Sequence, residues 1–257
     1  MNEKESITLY QELLTFCNEI RTNQKFKFDG NLEFQDSNER YYLEMYDKNK
    51  IATRPLFFKN NMLPELKLLC AKCAEFHTSE RNEMIKGFDI QHGQWFEKAF
   101  REFLLSKGIE TKKRGYPYPD IAIIKDKKEI AYFELKYIRA PFVYANSQVD
   151  KSRWCYECSL TLDVGEKLLN QRKKIEDDIL SKGIPVFYVW WYDAPCVKGI
   201  FYIDAQYIFN YWDKIGTAHV RKERKGDKID KQEKGKIYPP LLEMKNFNSL
   251  ISELKGL

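Results

Sequence analysis

Two acidic residues and a lysine near the middle of the chain have the types and spacing needed for phosphodiester chemistry. Asp120 is followed, after a short charged turn, by Glu134 and Lys136. A turn centred on Lys127 would place residues 120 and 134 opposite each other in a β-hairpin, and because side chains alternate along a strand, Glu134 and Lys136 share one face. Carboxylate oxygens are ligands that Mg²⁺ prefers, and a bound metal acidifies water and neutralises phosphate charge. A neighbouring lysine can orient the water or stabilise charge in the transition state.

The setting of this triplet distinguishes it from two other copies in the chain. Glu-Leu-Lys also occurs at residues 65–67 and 253–255, where the surrounding pattern is helical. Only the copy at 134–136 lies in a β pattern, and the alternating residues of that strand predict an apolar opposite face, formed by Ala131, Phe133, Leu135 and Tyr137. An ordinary cross-strand charge cluster remains the alternative interpretation.

Pro119-Asp120 followed by Glu134-Leu135-Lys136 resembles the PD-(D/E)xK signature of the restriction-endonuclease-like nuclease superfamily. The flanking pattern agrees over about residues 91–204. The resemblance implies a central mixed β-sheet flanked by helices in the order αβββαβ. It also implies phosphodiester cleavage with Mg²⁺, or with Mn²⁺ as a substitute, by Asp120, Glu134 and Lys136. The main-chain carbonyl of Leu135 would be a third metal ligand beside Asp120 and Glu134.

A glutamate on the helix before the hairpin is a further candidate. Glu97 follows Gly93 by four residues in a predicted helix at 92–106, and the resemblance matches it to an acidic residue that some superfamily members carry there. The alternative is a surface glutamate that forms a helical ion pair with Arg101.

A glutamine on the following helix is the second further candidate. Gln171 is the polar member of an apolar stripe on a helix predicted at 163–182, with Asp163 as its N-cap. The stripe is formed by Val164, Leu168, Gln171, Ile175 and Ile179. The resemblance matches Gln171 to a site residue that touches a metal-bound water or a phosphate. A core amide with satisfied hydrogen bonds is the alternative.

Positive charge clusters around the hairpin and predicts contacts with the phosphates of DNA. The preferred DNA-binding residues are Lys113, Arg153, Trp154, Arg172 and Lys174. Tyr116 and Tyr118 could stack on bases, although packing at the rim of the core is the alternative. The densest basic run, at 221–236, fits DNA contact and a solvated loop equally well.

The elements that must position these residues indicate an α/β fold. Helices are predicted at 7–20, 63–76, 92–106, 163–182 and 205–214, and strands at 119–125, 129–138, 184–192 and 199–204, with a polar stretch at 109–116 and an irregular connection at 139–162. We therefore expect a nuclease core at 91–257 with a basic C-terminal region. Residues 1–90 are expected to form an added, mostly helical region for DNA recognition or dimerisation.

The composition is compatible with such a protein. The chain has 257 residues, of which 43% are hydrophobic and 32% are charged, with a net charge of +5, which permits nucleic-acid binding without requiring it. Neither a transmembrane segment nor a signal peptide is evident, so a cytoplasmic protein without membrane association is expected. Cys70, Cys73, Cys155 and Cys158 form two CxxC pairs, and reduced thiols are favoured over a zinc site.

Together these features predict a Mg²⁺-dependent endonuclease of the type II restriction kind that acts on double-stranded DNA as a homodimer. One alternative is a repair, recombination or defence nuclease that selects DNA by its structure. The other is a non-catalytic nucleic-acid-binding protein on a nuclease fold.

Overall fold

The structure is a computed structural model that describes residues 3–23, 88–138, 162–194, 197–217, 219–221, 234–239 and 243–257. The helices in these ranges are α1 (Glu3–Asn23), α2 (Phe88–Ser106), α3 (Glu166–Asp178), α4 (Ala205–Ile215) and α5 (Phe247–Gly256), with a 3₁₀ turn at Leu180–Lys182. The strands are β1 (Glu110–Lys113), β2 (Ile121–Lys125), β3 (Lys128–Ile138), β4 (Leu162–Val164), β5 (Val186–Ala194), β6 (Val197–Asp204), β7 (His219–Arg221), β8 (Lys234–Ile237) and β9 (Lys245–Asn246).

A six-stranded mixed sheet forms the centre of the fold. Its strand order is β1-β2-β3-β5-β6-β9. The β3–β5 pair is parallel and the other pairs are antiparallel. A parallel pair needs a crossover connection, and α3 lies within the connection between β3 and β5. The α/β class predicted from the sequence is therefore confirmed. A second, three-stranded sheet in the order β4-β8-β7 was not predicted.

The β2–β3 hairpin has a two-residue turn and a β-bulge. Lys125 pairs with Lys128 across the turn, and both turn residues, Asp126 and Lys127, have positive φ angles of 50° and 63°, as the tight hairpin turn with two left-handed residues requires. The register then shifts between Ile123 and Ile124, so that Ile130 has no partner. The turn therefore differs from the one centred on Lys127 that the sequence suggested.

The bulge decides which side chains share a face. Beyond it, Ile121 pairs with Phe133, which places residue 120 beside residue 134. Without the extra residue, position 120 would lie opposite position 133, and a one-residue slip of this kind moves every side chain to the other face. The bulge therefore brings Asp120 and Glu134 onto the same face of the sheet.

Two apolar cores hold the sheet between helix layers. On one face Phe133 and Leu135 pack with α2 residues such as Phe96 and Phe100 and with side chains of α1 and α5. On the other face the core includes residues of β2, β3, α3 and α4, among them Ala122, Tyr132, Leu168, Ile175 and Ile208. Full burial of one large apolar side chain contributes about 1.5–3 kcal/mol. The apolar face predicted for β3 is thus confirmed, and the helices of both layers fix the position of β3.

Several element boundaries differ from the predicted ones. The polar stretch at 109–116 contains the edge strand β1, and Asp163 lies in β4 rather than capping a helix. α3 begins at Glu166, after Gly165 as its N-cap residue. The helical pattern around residues 253–255 is confirmed as part of α5, although the sequence did not predict the bounds of this helix or the burial of its Leu250 and Leu254 in the core. The helix predicted at 63–76 lies outside the described residues, as does the connection at 139–161.

Of the predicted added region at 1–90, α1 is described, and its Leu9, Tyr10 and Leu13 lie in the same core as α2. The hydroxyl of Tyr10 donates a hydrogen bond to the carbonyl of Tyr192 in β5 (3.1 Å). Among the helices described, none combines the length and the apolar character needed to cross a membrane.

Candidate active site

Asp120 lies immediately before β2 and is bound to the neighbouring strand. Its Oδ2 accepts a hydrogen bond from the backbone N–H of Leu135 in β3, at 2.8 Å. Pairing between β2 and β3 ends at Ile121 and Phe133, so the backbone of β2 does not extend to this N–H. The carboxylate takes the place that a backbone carbonyl would have in a longer ladder, which fixes Asp120 beside Glu134.

Glu134 is a buried carboxylate with a partner on each oxygen. Its exposed fraction is 5%. The ammonium of Lys136 donates to Oε1 at 2.5 Å, and the side-chain amide of Gln171 donates to Oε2 at 2.7 Å. A buried acidic side chain is costly unless it is paired and hydrogen-bonded, so these two donors offset the cost of burying Glu134.

Gln171 reaches Glu134 from α3. Its exposed fraction is 7%, and it lies on the same helix face as the buried residues Leu168 and Ile175. The predicted position of Gln171 within an apolar stripe is therefore confirmed, as is its need for a hydrogen-bond partner. In this structure that partner is Glu134. Contact with a metal-bound water or a phosphate stays a prediction.

The electrostatics of the cluster are dominated by negative charge. Burial raises the pKa of Asp120 to about 6, and the charges of Glu134 and Glu97 raise it too, while Lys136 and the N–H of Leu135 oppose the change. Burial lowers the pKa of Lys136, but the charges of Glu134 and Asp120 outweigh it, so that the pKa of Lys136 is raised overall. The lysine therefore stays charged and only partly compensates its acidic neighbours. A bound cation would relieve the remaining repulsion.

Glu97 approaches the cluster from α2. Its charge is one of those that raise the pKa of Asp120. It forms an ion pair with Lys113 of β1 at 3.2 Å, whereas Arg101 donates a hydrogen bond to Thr111 at 3.4 Å. Glu97 is therefore not the helical partner of Arg101 that the alternative interpretation required.

The residues present fit Mg²⁺. Oδ1 of Asp120 has no hydrogen-bond donor among the described residues. In a strand the N–H and C=O of one residue point to the same neighbouring strand, so the carbonyl of Leu135 points to the side on which its N–H meets Asp120. Within the described ranges no group of three His, Cys, Asp or Glu side chains could hold a metal ion. Mg²⁺ needs fewer, because it retains several waters and is often bound by one or two carboxylates.

Two of the residues predicted to contact DNA, Arg172 and Lys174, form ion pairs with acidic side chains of the protein. The guanidinium of Arg172 donates to both oxygens of Asp213, at 2.6 and 2.7 Å, and to Glu176 at 2.9 Å. These hydrogen bonds raise the pKa of Arg172 further above its usual value. Arg172 therefore faces α4, and the structure does not bring it to the acidic pair. Lys174 forms an ion pair with Asp178 and lies over the ring of Tyr118, 4.9 Å from its centroid.

Lys113 lies at the rim of the site because it pairs with Glu97, and its side chain is more than half exposed. Arg153 and Trp154 lie outside the described residues, and so do the four CxxC cysteines Cys70, Cys73, Cys155 and Cys158. Their predicted roles stay predictions.

Basic and aromatic side chains lie together near Asp120, and the sequence predicted this cluster only in part. Arg114 donates to Glu129 at 2.9 Å and lies over the ring of Tyr118, 4.8 Å from its centroid. Tyr116 is 53% exposed, with the ammonium of Lys167 5.7 Å from its ring centroid. The pattern in the sequence that indicated this cluster was the basic run at 112–114, followed by Tyr116 and Tyr118.

Tyr188 is a site residue that the sequence analysis missed. It pairs in register with Glu134 across the parallel β3–β5 ladder and is fully buried. Its segment, 184–192, was interpreted only as a buried strand. A tyrosine hydroxyl within such an apolar run was the available signal, because it needs a partner when buried.

Comparison of the chain with protein-family models, with curated proteins and with solved structures found no match. The function of the site is therefore inferred from its own residues. These are a buried glutamate, a partly buried aspartate and a charged lysine on one face of the mixed sheet, and a glutamine that reaches them from α3.

Proposed function

We propose that this chain is a Mg²⁺-dependent endonuclease that hydrolyses phosphodiester bonds of double-stranded DNA, as restriction-type enzymes do. The observation that carries the proposal is the placement of Asp120, Glu134 and Lys136 together on one sheet face, with Glu134 buried. Buried ion pairs are weak contributors to stability, since desolvation offsets their attraction. A buried glutamate beside a partly buried aspartate whose pKa is raised is instead typical of a functional site.

The residues divide the chemistry between them. Asp120, Glu134 and the carbonyl of Leu135 would hold the metal ion. Mg²⁺, when bound, supplies charge neutralisation at the phosphate and acidification of water. Lys136, whose ammonium lies against Glu134, would orient the attacking water or neutralise charge on the phosphate. Gln171 holds Glu134 in one orientation through Oε2.

The surroundings of the site support a nucleic-acid substrate. Lys112 and Lys113 of β1 are both more than half exposed, and Lys167 at the start of α3 is exposed beside Tyr116. Cations that neutralise phosphates supply much of the affinity for DNA. Apart from β4, which belongs to the second sheet, the element order from α2 through β1, β2 and β3 to α3 and β5 is compatible with the αβββαβ order that the resemblance to PD-(D/E)xK nucleases implies.

Incubation with supercoiled plasmid in Mg²⁺, Mn²⁺ or EDTA tests the proposal. We expect cleavage that needs the metal and that is lost in Asp120→Asn and Lys136→Ala. Asp126→Asn is a matched control, because it removes a carboxylate from the exposed turn of the same hairpin. Discrete fragments would support a restriction-type enzyme. Nicking or general degradation would favour a nuclease that selects DNA by structure.

Binding of DNA without cleavage in both Mg²⁺ and Mn²⁺ would refute the catalytic proposal in favour of a non-catalytic binding protein. Full cleavage by folded Asp120→Asn or Lys136→Ala would refute the assignment of the site.

A further inference from the structure

Tyr188 lies directly beside the acidic pair and on the same face. Because β3 and β5 are parallel and in register, the side chains of Tyr188 and Glu134 extend from paired positions. The ring of Tyr188 stacks on Trp190, with centroids 5.5 Å apart, and meets Phe209 edge-on at 6.3 Å. These aromatic contacts fix the direction of the phenol within the core between the sheet and the helices α3 and α4.

The hydroxyl of Tyr188 is a buried donor without a hydrogen-bond partner in the described part of the chain. Leaving a buried polar group unsatisfied costs free energy, so such a group calls for an explanation. Burial raises the pKa of Tyr188 well above its usual value, and the charges of Glu134 and Asp120 raise it further. The hydroxyl therefore keeps its proton at neutral pH and remains a donor close to two carboxylates.

We propose that the hydroxyl of Tyr188 donates a hydrogen bond, through one water molecule, to the carboxylate of Glu134, which makes Tyr188 a positioning residue for the acidic pair. A buried water typically makes about 3 hydrogen bonds to groups that are otherwise unsatisfied. The phenol and the carboxylates of Glu134 and Asp120 supply partners of the required kinds. A carboxylate has about four acceptor sites, and Lys136 and Gln171 occupy two of those on Glu134.

The contact would matter most when Lys136 turns toward a substrate. Glu134 then loses the donor on Oε1, and Gln171 alone would hold it from α3. A second donor from β5, on the neighbouring strand, keeps the carboxylate aimed at the metal position. Outer hydrogen-bond partners of this kind change metal affinity by about 10–100-fold when they are removed. This inference rests on the proposed metal site, but the hydrogen bond itself does not require catalysis.

The test compares Tyr188→Phe with Tyr192→Phe. Tyr192 is a matched control, because it is a buried tyrosine of the same strand at a position four residues further along, where it pairs with Ile138 rather than Glu134. Each full-length variant is titrated with Mn²⁺ by calorimetry in the absence of DNA, and is unfolded with urea in EDTA. For Tyr188→Phe we expect Mn²⁺ affinity to fall about 10–100-fold and the urea midpoint to fall as well. For Tyr192→Phe we expect an unchanged affinity.

An unchanged Mn²⁺ affinity in Tyr188→Phe would overturn the inference, and so would an equal loss in both variants. If the wild-type chain binds no Mn²⁺, the proposed function fails and the urea midpoint decides the inference alone. A lower midpoint for Tyr188→Phe than for the wild type then supports a satisfied hydroxyl. A higher midpoint shows that an unsatisfied hydroxyl was removed and overturns it.

Discussion

Replacing Asp120 by asparagine is expected to stabilise the fold in the absence of metal ions. The side-chain oxygen of asparagine can still accept the hydrogen bond from the N–H of Leu135, while the negative charge beside Glu134 is removed. In the wild-type fold the pKa of Asp120 is raised from 3.8 to about 6, by burial first and by the charge of Glu134 second. The folded protein therefore resists ionisation of this group, and ionising it costs stability.

The magnitude follows from linkage between protonation and folding. Because the folded-state pKa is the higher one, the cost is absent at low pH, begins as the pH rises through the unfolded value and is complete above about 6. With 1.36 kcal/mol for each pKa unit, the cost is about 3 kcal/mol near pH 7, roughly half of that near pH 5 and only a small fraction of it near pH 3.8. At each pH, the free energy of unfolding of Asp120→Asn should exceed that of the wild type by about this cost.

Urea unfolding in EDTA at these three pH values measures the gain as the difference between variant and wild type. Asp126→Asn is the control, since replacing an exposed turn residue usually changes the free energy of unfolding by no more than about 0.5 kcal/mol. Adding Mg²⁺ should stabilise the wild type and reduce or reverse the advantage of Asp120→Asn. A variant that is less stable than the wild type near pH 7, or a gain that does not vary with pH, would refute the electrostatic reasoning.

Three further changes test other parts of the structure. Gln171→Met should lower the free energy of unfolding by about 1–3 kcal/mol, because one oxygen of the buried Glu134 loses its hydrogen-bond donor. It should also slow plasmid cleavage. Stability and activity equal to those of the wild type would contradict the contact between Gln171 and Glu134. Lys127→Gly should raise the free energy of unfolding by about 1 kcal/mol, because a residue with a side chain pays about that much to adopt the left-handed conformation. A lower free energy of unfolding in a urea titration would contradict the turn. Lys167→Ala should reduce the slope of log affinity for DNA against log salt by about 1, whereas Arg172→Ala should leave it unchanged, and the reverse result would place the phosphate contact at Arg172.

Much of the local structure follows from patterns in the sequence. Alternation along 129–138 predicted both the strand and the face shared by Glu134 and Lys136, because the two-residue period of a strand is a local property. Helical spacing predicted that Gln171 would lie in an apolar stripe. The helices at 7–20 and 92–106 were also found, as parts of α1 and α2. Periodicity reports which side chains must be buried, so it identified the candidate residues before any contact was known.

The contacts of those residues depend on tertiary structure. The placement of Asp120 beside Glu134 depends on the bulge at Ile130, and no local pattern in the sequence predicts this bulge. The approach of Gln171 to Glu134 requires α3 to pack across the sheet, and the position of Tyr188 requires a parallel β3–β5 register. Arg172, one residue after Gln171, faces Asp213 instead of the site. The sequence by itself determined which polar and charged groups each element carries and which of them alternate onto one face of the same strand or helix, because these properties are local. Only the packing of segments distant in the chain decided which groups meet.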